Sequence, residues 1–204
     1  MWERRDIDLR ERTLWRVLYE TAARADEVLR LNVEDLDIPS KGARARSKGG
    51  DVDWLFFGSG SARLLPRLIA GRRAGPVFLS SLDPSPARAP AAGDICPLTG
   101  RARLSYRRAA DLLVAQTGWT LHQFRHSALT HLAEDNVQLP LLMAKSRHRS
   151  LCTLQRYARP GPDAVAALTA AHDPARQASR LRTSGSAMPM PSRPVRNNGT
   201  AIRR

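Results

Sequence analysis

The sequence predicts a mainly helical α+β domain carrying one small antiparallel sheet. Apolar residues recur at helical spacing along much of the chain, as in Leu121, Phe124, Ala128 and Leu129. The pattern changes in the first third to two short runs, Ala43 to Ser47 and Val52 to Phe57. They flank Lys48-Gly49-Gly50-Asp51, the composition of a hairpin turn. The 204 residues are 42% apolar, enough for one domain with a core of its own.

In chain order, Leu14, Val17, Leu18 and Thr21 mark the inner face of a first helix. After Ala22-Ala23 a second helical segment runs from Arg24 to Leu31. Asp26 and Glu27 sit in its first turn, where acids suit the positive end of a helix, and Arg24 lies at the junction. Beyond Leu36-Asp37-Ile38-Pro39 come the two strands, with Lys48 at the tip of their hairpin. A helix near Ser61 to Ala70 and the apolar Val77-Phe78-Leu79 follow. From Ser81 to Gly100, Pro84, Pro86, Pro90 and Pro97 break any periodicity, which predicts a long surface loop. Helices return at Leu104 to Gln116, Leu121 to Glu134, Leu139 to Lys145, Leu151 to Ala158 and Asp163 to Ala171, without an internal repeat.

The residues that carry chemistry form an ordered set. Tyr157 stands nine positions after His148, and Arg125 twenty-three before it. A free tyrosine hydroxyl titrates at about pH 10, so it attacks phosphorus at neutral pH only if a base takes its proton or a cation stabilises its anion. Histidines can do the first and arginines the second. His122 and Arg125 are three apart on one predicted helix, so both reach one ligand. The planar fork of an arginine makes two hydrogen bonds to one phosphate.

These segments together resemble the catalytic domain of the tyrosine recombinases, also called the phage integrase family. Ala22 to Leu29 is similar to that family's first arginine motif, with Arg24. Ser47-Lys48-Gly49-Gly50 is similar to its lysine hairpin, and His122-Gln123-Phe124-Arg125-His126 to its His-x-x-Arg box. Arg147-His148 followed by Tyr157 is similar to the terminal histidine and nucleophile. The resemblance runs from about Asp6 to about Pro160, in the family's order. It departs in two ways. Arg147 stands where the family usually has glycine, which could tilt His148 or add a phosphate contact. The first arginine motif begins about twenty residues from Met1, so the family's amino-terminal helical domain is expected to be absent from this sequence.

Composition agrees with a polyanionic partner. Lys plus Arg is 33 against 19 Asp plus Glu, a net charge of +14. After Asp173 there are seven arginines and no acid, among prolines, glycines and serines. Residues 1–173 are therefore expected to form the catalytic domain and 174–204 a basic, disordered tail, either solvated or gripping DNA. No run approaches the roughly 20 apolar residues of a membrane span, and the start lacks a secretory core, so a cytoplasmic protein is expected. Cys96 and Cys152 are expected to be free thiols.

Each candidate has a competing explanation. His122, His126 and His131 could suggest a metal, but the glutamate of a metalloprotease helix is missing, so no metal or other cofactor is expected, and His126 and His131 are expected to hydrogen-bond in the core. Tyr19 and Tyr106 lack a histidine nine positions before them, and packing accounts for them. Glu27 could be a general base, but its place after Arg24 makes it the anchor that orients that guanidinium. Lys48 alone would be a solvated loop lysine; its place between the two arginine motifs raises it.

The resemblance implies a site-specific recombinase or integrase that cuts and rejoins double-stranded DNA through a 3′-phosphotyrosyl intermediate. Tyr157 would attack, Arg24 and Arg125 would hold the scissile phosphate, and Lys48 would protonate the leaving 5′-oxygen. His122 would assist at the tyrosine, and His148 would hydrogen-bond a phosphate oxygen. It also implies four protomers on two DNA sites, with Pro160 to Ala171 as the docking segment. Two other readings stay open: a non-catalytic DNA-binding remnant, and a type IB topoisomerase, which shares the chemistry but relaxes supercoils.

Overall fold

Asp8 opens the first helix, α1 (Leu9–Thr21), by accepting a hydrogen bond from Arg10 N at 3.1 Å, which satisfies one of the donors a helix start leaves unpaired. Ala22 closes it in the left-handed conformation at φ 49°. The computed structural model describes residues 6–46, 52–82, 89–135, 137–148, 150–154 and 162–173. The chain divides into two units, one ending at Arg159 and the other beginning at Pro160.

In the first unit α1 is the central element. Leu14, Trp15, Val17 and Leu18 are buried, and the helix packs against α3 (Ser59–Ile69) and α5 (Leu121–Glu134). Full burial of such side chains contributes about 1.5–3 kcal/mol each. The short α2 (Ala25–Leu29) adds Val28 and Leu29 to the same core. The strands β1 (Leu36–Asp37), β2 (Gly42–Arg46) and β3 (Val52–Phe56) form an antiparallel sheet in that order, with Ala43 opposite Leu55 and Arg44 opposite Trp54. Alternation puts Ala43, Ala45 and Leu55 into the core and leaves Arg44, Arg46, Val52, Trp54 and Phe56 outside. Helix α4 (Tyr106–Thr117), capped by Ser105, buries Ala109 and Leu113. A smaller apolar cluster joins Ala22 to Ala128, Leu129 and Leu142 of α5 and α6 (Leu139–Ser146), and to Leu154 of α7 (Leu151–Leu154).

The second unit contributes one described helix, α8 (Pro162–Ala171). Among the described residues no helix is long and apolar enough to cross a membrane.

Several expectations are refined. Helix α3 begins at Ser59, two residues before the apolar pattern suggests. Glu20 of α1 accepts hydrogen bonds from Gly58 N at 2.8 Å and Ser61 N at 3.1 Å and so holds the helix start from another element. The segment expected as a surface loop is partly integrated: Cys96 is fully buried, and Arg103 binds Asp94 Oδ1 at 2.6 Å, Asn32 Oδ1 at 2.7 Å and Leu29 O at 2.9 Å. The hairpin tip 47–51, with Lys48, lies outside the described residues, as do Tyr157 and the 174–204 tail.

Candidate active site

The cap of α5 sets its frame. Thr120 Oγ1 accepts from Gln123 N at 3.2 Å, while Gln123 Oε1 accepts from Thr120 N at 2.9 Å, a reciprocal box that fixes where the helix begins. His122 therefore falls in the first turn, exposed to solvent, and Arg125 three residues on, half-buried. Arg125 Nη2 donates to Ser146 O at 2.8 Å, at the end of α6. That carbonyl belongs to the last turn, which carries the negative end of the helix dipole and has no partner within the helix.

The chain after α6 turns sharply. Arg147 adopts the left-handed conformation, φ 53° and ψ 39°, and hands the backbone to His148. His148 Nδ1 lies 2.7 Å from Ser146 Oγ, and Ser146 is fully buried. Ser146 Oγ in turn donates to Met143 O at 3.3 Å. Burial, followed by the charges of Arg125, Arg24 and Arg147, holds the imidazole below its ordinary value. The protein alone therefore favours neutral His148.

Arg24 stands at the start of α2, with its side chain 54% exposed. Glu27 accepts from Arg24 N at 2.8 Å through Oε2 and from Arg24 Nη1 at 3.3 Å through Oε1. Arg147 Nη2 donates to the same Oε2 at 2.5 Å, although the two residues are 120 apart in sequence. Burial pushes the Glu27 carboxyl up, but the Arg147 hydrogen bond and charge, with those of Arg24, bring it below its ordinary value. The Arg147 Nε–H is buried with no hydrogen-bond partner among the described residues.

Three of the predicted site residues are thus linked, Arg125 and His148 both through Ser146, and Arg24 through Glu27 to Arg147 beside His148. His122 lies one helical turn from Arg125 on the same helix. Lys48 and Tyr157 lie outside the described residues. The expected Arg24–Glu27 anchor is present. His126 and His131 are hydrogen-bonded, to Thr130 Oγ1 at 3.3 Å and to the Tyr19 hydroxyl at 2.6 Å, but both are exposed rather than in the core. Tyr19 packs edge-on against Phe124, whereas Tyr106 is half exposed at the start of α4, so packing explains only the first. Sequence reasoning missed Ser146 and Lys145. Lys145 is held below its ordinary value chiefly by burial and donates to Phe56 O at 3.3 Å, tying α6 to β3. Nothing in Ala144-Lys145-Ser146 marks either residue, because each acquires its role from a distant element.

A model of the phage integrase family matches residues 2–162. Among curated proteins the chain is similar to tyrosine recombinase XerC of Mycobacterium tuberculosis strain H37Ra, 32% identical over 176 residues, which is 82% of this chain and 54% of the relative. It is also similar to XerC of Rhodospirillum centenum, 32% identical over 157 residues, 74% of this chain and 42% of that protein. The chain spans about half the length of the curated relatives it matches. Among solved structures, XerA recombinase aligns with a TM-score of 0.59 at 20% identity over 82% of this chain and 58% of that one. XerH recombinase bound to its difH substrate aligns at 0.55 and 18% identity, over 81% and 47%. The Tn1549 transposon integrase in complex with circular intermediate DNA aligns at 0.55 and 18%, over 78% and 57%. At these identities the likeness shows the fold.

Proposed function

The chain belongs to the phage integrase family, the tyrosine recombinases, and on that premise we propose that it cuts and rejoins double-stranded DNA at specific sites through a 3′-phosphotyrosyl link at Tyr157. The observation that carries this reading is the set of contacts that joins Arg125 and His148 through Ser146, and Arg147 to Arg24 through Glu27. A partly buried cationic corner with a neutral imidazole suits a phosphodiester, whose charge grows on its non-bridging oxygens as a fifth ligand adds to phosphorus. Arg24 and Arg125 hold those oxygens. The bound anion favours the charged form of His148, which then donates a hydrogen bond to a phosphate oxygen.

Tyr157 attacks phosphorus, and the bond to the 5′-oxygen breaks. His122 accepts the tyrosine proton, Lys48 supplies one to the leaving oxygen, and the phosphotyrosyl bond conserves the energy for rejoining, so no nucleotide cofactor is consumed. The Tn1549 integrase structure holds circular intermediate DNA, and the XerH structure holds its difH substrate. By that likeness DNA is the partner here, and the cytoplasm is where the protein works. Exchange of strands takes four copies on two sites, with Pro160 to Ala171 docking between copies and residues 174–204 as a basic arm beside a catalytic domain of residues 1–173.

The test is covalent trapping. The chain is incubated with a pool of nicked duplexes, and labelled adducts are resolved on a denaturing gel. Arg125→Ala should lower adduct formation by about 10²–10³, the usual effect of removing one donor to a developing oxyanion. No adduct with any duplex contradicts the proposal and leaves a DNA-binding remnant. Relaxation of supercoils without strand exchange points to a topoisomerase instead.

A further inference from the structure

We propose that Arg147 is a positioning residue: by clamping Glu27 from across the site it fixes the orientation of Arg24. The inference rests on reading Arg24, Arg125 and His148 as a phosphate site. Its starting point is the backbone. Arg147 sits at φ 53°, a region where a side chain is strained and where glycine is the residue that fits without cost. The turn itself needs only that geometry, because the Arg147 N–H closes α6 on Ala144 O through the main chain. The guanidinium has a separate occupation, the carboxylate of Glu27, and both side chains are nearly buried, 11% and 12% exposed.

Arg24 shows why that clamp matters. Its side chain is 54% exposed, and Glu27 is the carboxylate it meets, at 3.3 Å. The neighbouring Asp26 pairs instead with Arg30 at 3.4 Å. A long, exposed arginine loses rotamer freedom when it grips a phosphate, and that cost falls if its anchor is already rigid. Glu27 would be such an anchor only if something held it as well. Arg24 N holds one side of Oε2, and Arg147 holds the other from the turn that also carries His148. The two ends of the proposed phosphate site, the start of α2 and the turn after α6, are thereby locked in register by one ion pair. Among the described residues, the charges that bear on His148 include Arg125 from α5, Arg24 from the start of α2 and Arg147 beside it, with Ser146 Oγ on Nδ1.

The test uses the full chain, with inorganic phosphate as the probe and the His148 ring signals followed by NMR. At pH 8 the free imidazole, held below its ordinary value, is mostly neutral, so phosphate affinity there reports chiefly the arginines. Arg147→Gly keeps a backbone suited to the turn and removes the clamp. Arg147→Lys keeps a positive charge but not the planar fork, and it also decides the question should the glycine variant fail to fold. Both should weaken phosphate binding about tenfold, the scale of one interaction partly lost near a protein surface. A separate titration of His148 should move up towards its ordinary value in Arg147→Gly, because one facing cation is gone, and stay put in Arg147→Lys. Wild-type affinity in Arg147→Lys would mean that charge alone matters, and wild-type affinity in Arg147→Gly that the residue has no part in the site; either overturns positioning. If phosphate leaves His148 undisturbed in the wild type and in Arg125→Ala alike, the phosphate-site reading itself falls, and this inference with it.

Discussion

Replacing Glu27 by glutamine tests the ion pair on which the site's geometry depends. The carboxylate accepts from Arg24 N, Arg24 Nη1 and Arg147 Nη2, and its side chain is 12% exposed. A glutamine keeps one acceptor oxygen and turns an amide N–H₂ towards donors, which leaves the nearly buried Arg147 cation without its counter-ion. Breaking a buried pair from one side costs about 3–5 kcal/mol. Arg147→Gly should cost less, because Arg24 still attends Glu27 and because relief of the left-handed backbone returns about 1 kcal/mol. The double variant has neither buried charge, so its cost should fall short of the sum of the single costs by at least about 1 kcal/mol. Urea unfolding followed by tryptophan fluorescence measures this, provided the four proteins share one denaturant slope. Single costs that add within about 0.5 kcal/mol would show that the two residues are not coupled. The acid side gives a second check. Glu27 has its folded value lowered, so its contribution is present above the unfolded carboxylate range and is lost as pH falls through the folded value. The gap between wild type and Glu27→Gln should therefore close in acid.

Three further outcomes follow from the same geometry. Because burial and the neighbouring arginines lower the His148 value and a bound phosphate raises it, DNA binding near neutral pH should take up protons; calorimetry in two buffers of different ionisation enthalpy measures the uptake, and it should vanish in His148→Gln. Ser146→Ala removes the hydroxyl 2.7 Å from His148 Nδ1, and misplacing that ring should lower the cleavage rate by up to about 10², with little change in the melting temperature. Deleting residues 174–204, which carry seven arginines after Asp173 and no acid, should weaken non-specific DNA binding and flatten its dependence on salt; an unchanged slope would mean the tail is only solvated.

Much of this arrangement is legible in the sequence where it depends on near neighbours. The bounds of α5, Leu121–Glu134, match those expected from the spacing of Leu121, Phe124, Ala128 and Leu129, and the Thr120–Gln123 cap fixes its start. Strands β2 and β3 fall within a residue of their predicted ends, because Ala43, Ala45 and Leu55 alternate with polar or outward-facing neighbours, whereas the two-residue β1 is not predicted. What sequence reasoning lacks is the distant partner. The start of α3 depends on Glu20, and the path of the chain after Ser81 depends on Arg103, which reaches back to Asn32 and Leu29. Arg147 was visible as an anomaly, an arginine where the resemblance called for glycine. That its guanidinium meets Glu27 could not be read from either position alone.

In the proposed reaction Tyr157 is the nucleophile, served by Arg24, Arg125 and His148. That role is tested most directly by trapping the chain on nicked DNA, digesting the adduct and locating the phosphorylated residue by mass spectrometry. The phosphodiester remnant should lie on the peptide containing Tyr157, with no adduct at all in Tyr157→Phe, which keeps the ring and deletes the attacking oxygen. A remnant on Tyr19 or Tyr106, or an adduct that persists in Tyr157→Phe, would contradict that role.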